Sequence, residues 1–341
     1  MKKIFLTVLA LALFSTSAFG FSFFKKNYSS KLQTVPLFSS ELTSGNSVWA
    51  GTFELVWNDL MDNVVKAPIE FTDGKNTLAE NLNLQKFNKD MLSEKAYYTA
   101  HGIMNKTLKK TIETALYEKF AEKSDILDGM SWNGRAFLVY AILKKNFEFL
   151  NAFYELKKEY FAKNKKKVKY FGITDENNDS LRDSIRVLFY NSDKDFALKF
   201  YTKADDCVIL YRTDEKTTFE NMYEDVLSKT NDYAGEHDFT SKDKLKVPYL
   251  DFRTKHYYKE IENKTIKGTE FTIGKAMQTV DFKMDNKGVK LKSEAALIMK
   301  MSLRPTPKEA RKFYFNDTFV LYLIEKDKPY FALRVADVEG L

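Results

Sequence analysis

Several residue types that build common functional sites are scarce in this sequence. It contains one cysteine, Cys207, and three histidines, His101, His237 and His256. A single cysteine excludes an intrachain disulfide and a zinc site made of several cysteines. The histidines form no His-Glu-x-x-His motif or other ligand spacing, so nothing indicates a metal hydrolase. We therefore predict no metal and no cofactor, and we expect packing to supply the stability.

Motifs for covalent catalysis are lacking as well. The sequence has no Gly-x-Ser-x-Gly elbow and no glycine-rich loop of the kind that binds phosphates. Cys207 lies in or beside an apolar stretch, where a thiol is more often inert packing than a nucleophile. Acidic residues number 47, and no pair among them stands out as a glycosidase pair. We predict that the protein is not an enzyme.

Proline (6) and glycine (13) are rare, whereas 44% of the residues are apolar. This composition excludes collagen-like and disordered chains and suits a large core. The formal net charge is +7. One basic run, for which a solvated loop is the favoured interpretation and polyanion contact the alternative, consists of Lys163, Lys165, Lys166 and Lys167. The run lacks interleaved aromatic residues, so we predict no nucleic-acid binding.

The first twenty residues have the composition of a secretory signal peptide. Two lysines precede an apolar stretch that leads to the small-x-small sequence Ala18-Phe19-Gly20. No apolar run is long enough to cross a bilayer. We expect residues 1–20 to be removed, residues 21–45 to form a flexible lead-in, and residues 46–341 to form one domain. The mature protein is expected to be secreted or periplasmic.

Apolar periodicity predicts mainly helices in the first part of the chain. Residues at helical spacing predict one helix from Val48 to Val65 and two helices between Ser93 and Lys123, separated near Gly102. Residues 73–92 are predicted to be a loop. The apolar run from Ala136 to Leu143 predicts a strand that is buried on both faces or lies at the centre of a sheet.

The second part of the chain has the alternation of an antiparallel series. A short helix is predicted from Thr218 to Leu227. The predicted strands are residues 168–173, 185–190, 196–201, 208–211 and 246–252. Two dense apolar runs, residues 313–324 and 330–335, predict a buried hairpin at the carboxyl end.

The functional prediction depends on the segment around residue 285. Thr279–Met284 alternates like a half-buried strand, and Asp285-Asn286-Lys287-Gly288 follows as a hairpin turn, because Asn and Gly tolerate positive φ. After the turn the alternation resumes, with charged residues confined to one face. The other face consists of Val289, Leu291, Ser293, Ala295, Leu297 and Met299. The segment can therefore enter a sheet as a strand without burying a charge.

This layout resembles the serpin family. In serpins an acidic-x-Gly hinge leads into a long reactive loop, which returns to a strand and to a hairpin with characteristic phenylalanines. The matching residues here are Asp285, Lys287, Gly288, Phe315, Phe319, Phe331 and Val335. Thr318 stands where the family has proline, and bulky Val289 and Leu291 stand where it has small residues.

The resemblance implies an α+β fold with a large mixed or antiparallel central β-sheet, N-terminal helices and further small sheets. Residues 285–312 would be a reactive-loop-like segment. Its hinge would comprise Asp285, Lys287, Gly288, Val289 and Leu291. The bond that a protease cleaves would lie within Met301, Ser302, Leu303 and Arg304.

Two functions follow from the resemblance. The first is a secreted inhibitor of a serine or cysteine endopeptidase that acts by loop insertion, with a protease as partner and the protein as a monomer. The second is a non-inhibitory binding or structural protein in which residues 289–300 already form a sheet strand. Val289 and Leu291 favour the second function, because exposing each would forfeit about 1.5–3 kcal/mol of apolar burial.

Overall fold

The structure, a computed structural model, describes residues 28–124, 126–162, 164, 167–174, 179–289, 310–339 and 341. The β-strands are, in chain order, β1 (Leu32–Thr34), β2 (Asn46–Ala50), β3 (Tyr97–Ile103), β4 (Phe137–Leu143), β5 (Phe147–Glu148), β6 (Tyr154–Tyr160), β7 (Lys167–Ile173), β8 (Ile185–Ser192), β9 (Asp195–Tyr201), β10 (Asp206–Arg212), β11 (Lys244–Pro248), β12 (Leu250–Tyr257), β13 (Met277–Asp285), β14 (Gly288–Val289), β15 (Lys312–Tyr314), β16 (Phe319–Glu325) and β17 (Lys328–Val335). The α-helices are α1 (Thr52–Asp59), α2 (Thr77–Leu82), α3 (Lys106–Phe120), α4 (Asp179–Arg182) and α5 (Phe219–Asp232).

The strands of the described residues form four sheets. The largest has seven strands in the order β1-β2-β17-β16-β10-β9-β8 and is mixed, because β1 and β2 are parallel and the other neighbours antiparallel. The second has the order β15-β11-β7-β6, the third the order β12-β13-β14-β5, and β3 pairs with β4 as the fourth. This is the predicted α+β architecture, with one large mixed sheet and smaller sheets.

The main core lies at the centre of the seven-stranded sheet. Most residues of β10 and all of β16 are buried, so these strands read as apolar runs rather than as alternating ones. Helix α5 packs Phe219, Met222 and Val226 into this core. The Thr218 side chain caps the helix by accepting a hydrogen bond from the amide of Asn221 (3.0 Å). The helix therefore begins where predicted but extends beyond Leu227 to Asp232.

The helix predicted from Val48 to Val65 is wrong in its first turn. Asn46–Ala50 forms β2, in which Val48 pairs with Leu333 of β17, and the helix begins only at Thr52. It becomes π-helical over Leu60–Val65. Helical spacing of apolar residues carries no information about a partner strand almost three hundred residues away, and that pairing decides the conformation.

Two further predictions in this half are wrong. Residues 73–92 contain α2, whose Asn76 side chain accepts a hydrogen bond from the amide of Ala79 (3.0 Å). Of the two helices predicted between Ser93 and Lys123, the first is instead the strand β3, and only α3 is helical. The strand begins with two tyrosines and a threonine, which favour extended backbone.

The predicted lead-in and the predicted strand at Ala136–Leu143 also need correction. Within residues 21–45, β1 pairs with β2, and Leu32 and Val35 are buried, so this part belongs to the core. Residues 137–143 do form a strand, β4, but they are not buried on both faces. Leu138 and Tyr140 are buried in the cluster that includes α3, whereas the other side chains of β4 are half-buried.

The strand predictions from residue 168 onward are confirmed as β7, β8, β9 and β10, and the carboxyl-terminal hairpin as β16 and β17. The predicted strand 246–252 divides at Tyr249 into β11 and β12, which belong to different sheets. The apolar run 313–324 likewise divides into β15 and β16. Among the described residues, none of the helices is long and apolar enough to cross a membrane.

Candidate functional site

The predicted turn at Asp285–Gly288 forms and joins β13 to β14. Met284 pairs with Val289 and Asp285 with Gly288, and the Lys287 amide donates to Oδ1 of Asp285 (2.9 Å). Gly288 has a φ of 142°, which side-chain-bearing residues rarely adopt. Asn286 has no positive φ. The predicted turn is confirmed, and of its two residues that tolerate positive φ only Gly288 adopts it.

Strand β14 lies between two other strands. On the side away from β13, Gly288 pairs with Glu148 and Val289 with Phe147 of β5. A Cβ at position 288 would lie 2.4 Å from the carbonyl oxygen of Phe147 and 2.7 Å from Cα of Glu148. Glycine is required here both by the backbone conformation and by the close approach of β5. Val289 points inward and is buried in the main core, as the alternation predicts.

Asn286 fixes the turn to the chain that follows β5. Its carbonyl oxygen accepts from the Phe153 amide (2.8 Å), and its Nδ2 donates to the Phe153 carbonyl (3.1 Å). The Tyr249 hydroxyl donates to Oδ1 of Asn286 (3.0 Å). The amide of Phe149 donates to the carbonyl of Lys287 (3.0 Å). Main chain on one side and a tyrosine on the other therefore hold the turn in place.

Beyond β14, the strands β4 and β13 continue with no strand between them in the part of the chain that the structure describes. Strands β5 and β13 run in the same direction, because β14 is antiparallel to both. Strand β4 ends three residues before β5 begins, and we infer that it runs in the same direction as β5. Helix α1 contacts both β4 and β13 and therefore underlies the gap. We call the gap bounded by β4, β13 and β14 the slot.

Backbone groups of β4 point into the slot. The amide of Met104 donates to the carbonyl of Ala136 (2.8 Å), and the amide of Lys144 donates to the carbonyl of Ala96 (2.7 Å). Because an antiparallel ladder alternates, the even-numbered residues of β4 bond to β3 and the odd-numbered ones point away. The main-chain groups of residues 139 and 141 thus face the slot and bond to no described residue. Such an edge is a template for another strand.

An aromatic contact closes the far end of the slot. The ring of Phe271, which precedes β13, lies 5.2 Å from the ring of Phe137, the first residue of β4. Phe137 in turn stacks on His101 at 6.2 Å, and Nδ1 of His101 lies 3.0 Å from Oδ2 of Asp59 at the end of α1. The two sides of the slot are therefore joined by β14 at one end and by this ring pair at the other.

Lys145, between β4 and β5, fixes this side of the slot to the seven-stranded sheet. Its Nζ lies 2.7 Å from Oδ1 of Asp206 and 2.9 Å from Oε2 of Glu325, and all three side chains are at most 9% exposed. The hydroxyl of Tyr330 donates to Asp206 (2.9 Å). Burial raises the pKa of Asp206, against the opposing effect of the Lys145 ammonium. Removing the lysine would leave two buried carboxylates uncompensated.

The helix beneath the slot carries a buried carboxyl group. The indole Nε1 of Trp49 donates to Oε1 of Glu54 (2.9 Å), and Nδ2 of Asn58 donates to the carbonyl of Phe87 (2.9 Å). Burial raises the pKa of Glu54 to about 8, despite the hydrogen bond from Trp49. At neutral pH this carboxyl group is therefore mostly protonated, which lets it remain in the core without an ion partner.

Arg311 fixes the chain where the described part resumes after residue 309. Its Nη2 lies 2.8 Å from Oδ2 and its Nε 3.1 Å from Oδ1 of Asp243, whose side chain is fully buried. The guanidinium also donates to the carbonyl oxygens of Glu236 and Asp238. Strand β15 follows and pairs in parallel with β11. The chain before residue 290 and the chain after residue 309 are thus both firmly held.

Four of the predicted site residues lie together at the end of the slot formed by β14: Asp285, Lys287, Gly288 and Val289. Outside the described residues lie Leu291, Met301, Ser302, Leu303, Arg304, Lys163, Lys165 and Lys166. Lys167 begins β7, and its Nζ lies 5.3 Å from the centroid of the Tyr160 ring.

Sequence reasoning missed Lys145, Phe271 and Arg311. Each acts through a contact with residues distant in sequence, and Asp243 lies 68 residues before Arg311. The described residues contain no group of three acidic, histidine or cysteine side chains that could hold a metal ion. Burial raises the pKa of Cys207 to about 11, so its thiol is a poor nucleophile at neutral pH.

No protein-family model matches the chain, and no curated protein sequence matches it. Among solved structures, Serpin48 from the insect Tenebrio molitor is 14% identical, with a TM-score of 0.41 over 78% of this chain and 72% of that chain. A complex of thyroxine-binding globulin with thyroxine is 12% identical, with a TM-score of 0.48 over 86% of this chain and 93% of that chain. A complex of human thyroxine-binding globulin is 12% identical, with a TM-score of 0.43 over 69% of this chain and 65% of that chain.

Serpin48 and thyroxine-binding globulin are serpins, and the motifs in this sequence resemble those of the same family. At such low identity the likeness concerns the fold alone and does not distinguish an inhibitor from a binding protein.

Proposed function

We propose that this protein is a secreted, serpin-like inhibitor of a serine or cysteine endopeptidase, and that the segment after Val289 enters the slot as a strand. The observation that carries the proposal is the position of β14. It already lies between β13 and β5, and it is directed into a gap whose β4 edge bonds to none of the described residues.

The register of β14 supports insertion. Val289 pairs with Met284 of β13 and with Phe147 of β5. Continuing both registers without a bulge places Leu291 opposite Phe282, Ser293 opposite Val280 and Leu143, and Ala295 opposite Gln278 and Ala141. Phe282, Val280 and Gln278 are all buried.

The neighbours suit the inward residues of the segment. Phe282 and Val280 are apolar, and the opposing position on β4 beside Ala295 is another alanine, so two small residues meet. The one polar neighbour, Gln278, is already satisfied, because its Nε2 donates to the carbonyl of Ala50 (2.9 Å) and its Oε1 accepts from the hydroxyl of Tyr258 (2.6 Å). No inserted residue has to supply a partner for it.

The attachment of the segment at both ends, to β14 and to Arg311, explains why insertion would require cleavage. An intact segment is tied to β14 at one end and to Arg311 at the other, so its distal half cannot run down the slot. When a protease attacks a carbonyl carbon within Met301–Arg304, the new acyl bond forms and the peptide C–N bond breaks, which releases the amine side. The acylated end is then free of Arg311, and pairing along β4 and β13 would carry the attached protease with it.

The second candidate is a non-inhibitory binding or structural protein in which residues 289–300 are already part of the sheet. Burial of Val289 favours it, because the first inward residue is a bulky one that is already in the core. In both proposals the protein acts outside the cytoplasm. Polyanion contact through the basic run ending at Lys167 is a further proposal.

The experiment incubates the mature protein with chymotrypsin and with elastase. An inhibitor gives an adduct that survives SDS, whereas simple cleavage or resistance to cleavage favours the second candidate. Thermal unfolding of intact and cleaved protein is measured alongside. A large rise in Tm on cleavage means that the strand started outside the slot, and an unchanged Tm excludes insertion driven by cleavage.

A further inference from the structure

The outer edge of β3 has an exposed row of backbone groups. Strand β3 pairs with β4 along one edge, and no strand of the described residues pairs with the other. The same alternation that directs residues 139 and 141 into the slot directs the main-chain groups of Tyr97, Thr99 and His101 away from β4. These groups form no hydrogen bond within the described residues. The next outward carbonyl, of Ile103, accepts from the amide of Asn105 (2.8 Å).

Protection that β3 lacks is found on five other sheet edges, whereas the free edge of β4 faces the slot. Strand β6 contains two adjacent lysines and a break in its register between Leu156 and Glu159. Along β8, the amide of Val187 donates to the carbonyl of His237 (2.8 Å), and along β12, the Arg253 carbonyl accepts from the Ser29 amide (2.7 Å). Strands β1 and β15 are only three residues long. Charges, bulges, covering segments and short strands are the usual protections against edge pairing.

The seven residues of β3, Tyr-Tyr-Thr-Ala-His-Gly-Ile, contain no Lys, Arg, Asp, Glu or Pro. Ile103 at its end is 56% exposed. Basic residues flank the strand, because Lys95 precedes it, Lys106 follows it, and Nζ of Lys119 lies 5.6 Å from the centroid of the Tyr97 ring. None of them belongs to the strand itself. A long, uncharged, uncovered edge is a pairing site by its physical character.

We propose that β3 pairs with β3 of a second copy of this chain, antiparallel and with the two-fold axis at Thr99. Tyr97 then pairs with His101 of the partner subunit, and Thr99 with the partner's Thr99. This register uses all three residues whose backbone groups point outward and opposes no two like charges. Aromatic and Thr–Thr cross-strand pairs are favourable ones. The two β3–β4 sheets become one four-stranded sheet, and the expectation of a monomer is replaced.

The test is the oligomeric state of the mature protein by light scattering and sedimentation over a concentration series. Thr99→Pro removes an N–H that points away from β4, so the β3–β4 ladder keeps its hydrogen bonds. By symmetry the dimer loses two bonds, and we expect its dissociation constant to rise about tenfold or more. Thr99→Ala keeps the N–H and should dimerise like the wild type.

A charge pair gives an independent test that does not need proline. Thr99→Asp and Thr99→Lys each place like charges opposite one another at the axis and should be monomeric alone. Mixing the two should restore a dimer. A wild type that is monomeric at every concentration overturns the proposal, as does a Thr99→Pro dimer as tight as the wild type. A monomer whose residue 99 amide is protected from hydrogen exchange points to a segment of the same chain on this edge and also overturns it.

Discussion

Gly288 and Phe147 approach each other so closely that a Cβ on the glycine would lie 2.4 Å from the phenylalanine carbonyl oxygen. We predict that Gly288→Ala displaces β14 from β5 and lowers the free energy of unfolding by about 2 kcal/mol or more, from strained backbone and overlap together. Urea unfolding measures the loss. Gly274→Ala is the matched control, since nothing lies within 4 Å of a Cβ there. Equal losses in the two variants would contradict the argument.

A charge on the inward face of the segment that follows Val289 should prevent its insertion into the slot. Ala295→Arg would bury a guanidinium opposite Ala141 and Gln278, whereas Glu294→Arg places the same group on the outward face. Burying an unpaired charge is far more costly than exposing one. The rise in Tm on cleavage should therefore vanish in Ala295→Arg and persist in Glu294→Arg. Loss of the rise in both variants, or in neither, would mean that the register is wrong.

Loss of the ion pair between Arg311 and Asp243 should destabilise the folded protein. Arg311→Met leaves the buried carboxylate of Asp243 without its cation, and we expect a loss of about 3–5 kcal/mol in the free energy of unfolding. Adding Asp243→Asn should restore part of that loss, because the double variant buries no unpaired charge. Lys312→Met, at the exposed neighbouring position, is the control. Additive losses from the two changes would show that the pair is not coupled.

The ring contact at the far end of the slot should slow full insertion. By the continued register, Met299 would arrive at the level of Phe137, where Phe271 now lies. Phe271→Ala removes a contact worth about 0.5–1.5 kcal/mol, so insertion after cleavage should be about two- to tenfold faster. The time course of heat resistance after cleavage measures it. Tyr154→Ala, a similarly exposed aromatic on another sheet, should leave the rate unchanged.

Glu54 should make stability depend on pH. Its pKa is about 8 in the folded protein against 4.5 as the ordinary value, so the folded state retains a proton that the unfolded state releases. The stabilisation is complete below pH 4.5. Between pH 4.5 and about pH 8 the free energy of unfolding falls by about 1.4 kcal/mol per pH unit, and above about pH 8 the stabilisation is lost. Glu54→Gln should abolish this slope, and Glu80→Gln, on the exposed side of α2, should retain it.

The sequence by itself determined the elements whose signals are local. The turn at Asp285–Gly288 follows from Asn, Gly and the alternation around them. Strands β7 to β10, β16 and β17 follow from apolar patterning between turn residues. Helix α5 follows from its cap at Thr218 and its apolar spacing. In each case neighbouring residues supply the decisive interactions, so periodicity is sufficient.

Only the tertiary structure decided the features that depend on distant partners. Val48 lies in a strand because β17 pairs with it, and β3 is a strand because β4 pairs with it. The slot exists because β4 and β13 are brought side by side with β14 between them at one end. Arg311 owes its importance to an ion pair with a residue 68 positions earlier in the chain, and Glu54 owes its raised pKa to burial in the folded protein. Periodicity cannot report these relationships, because it records which residues are apolar and not which parts of the chain they meet.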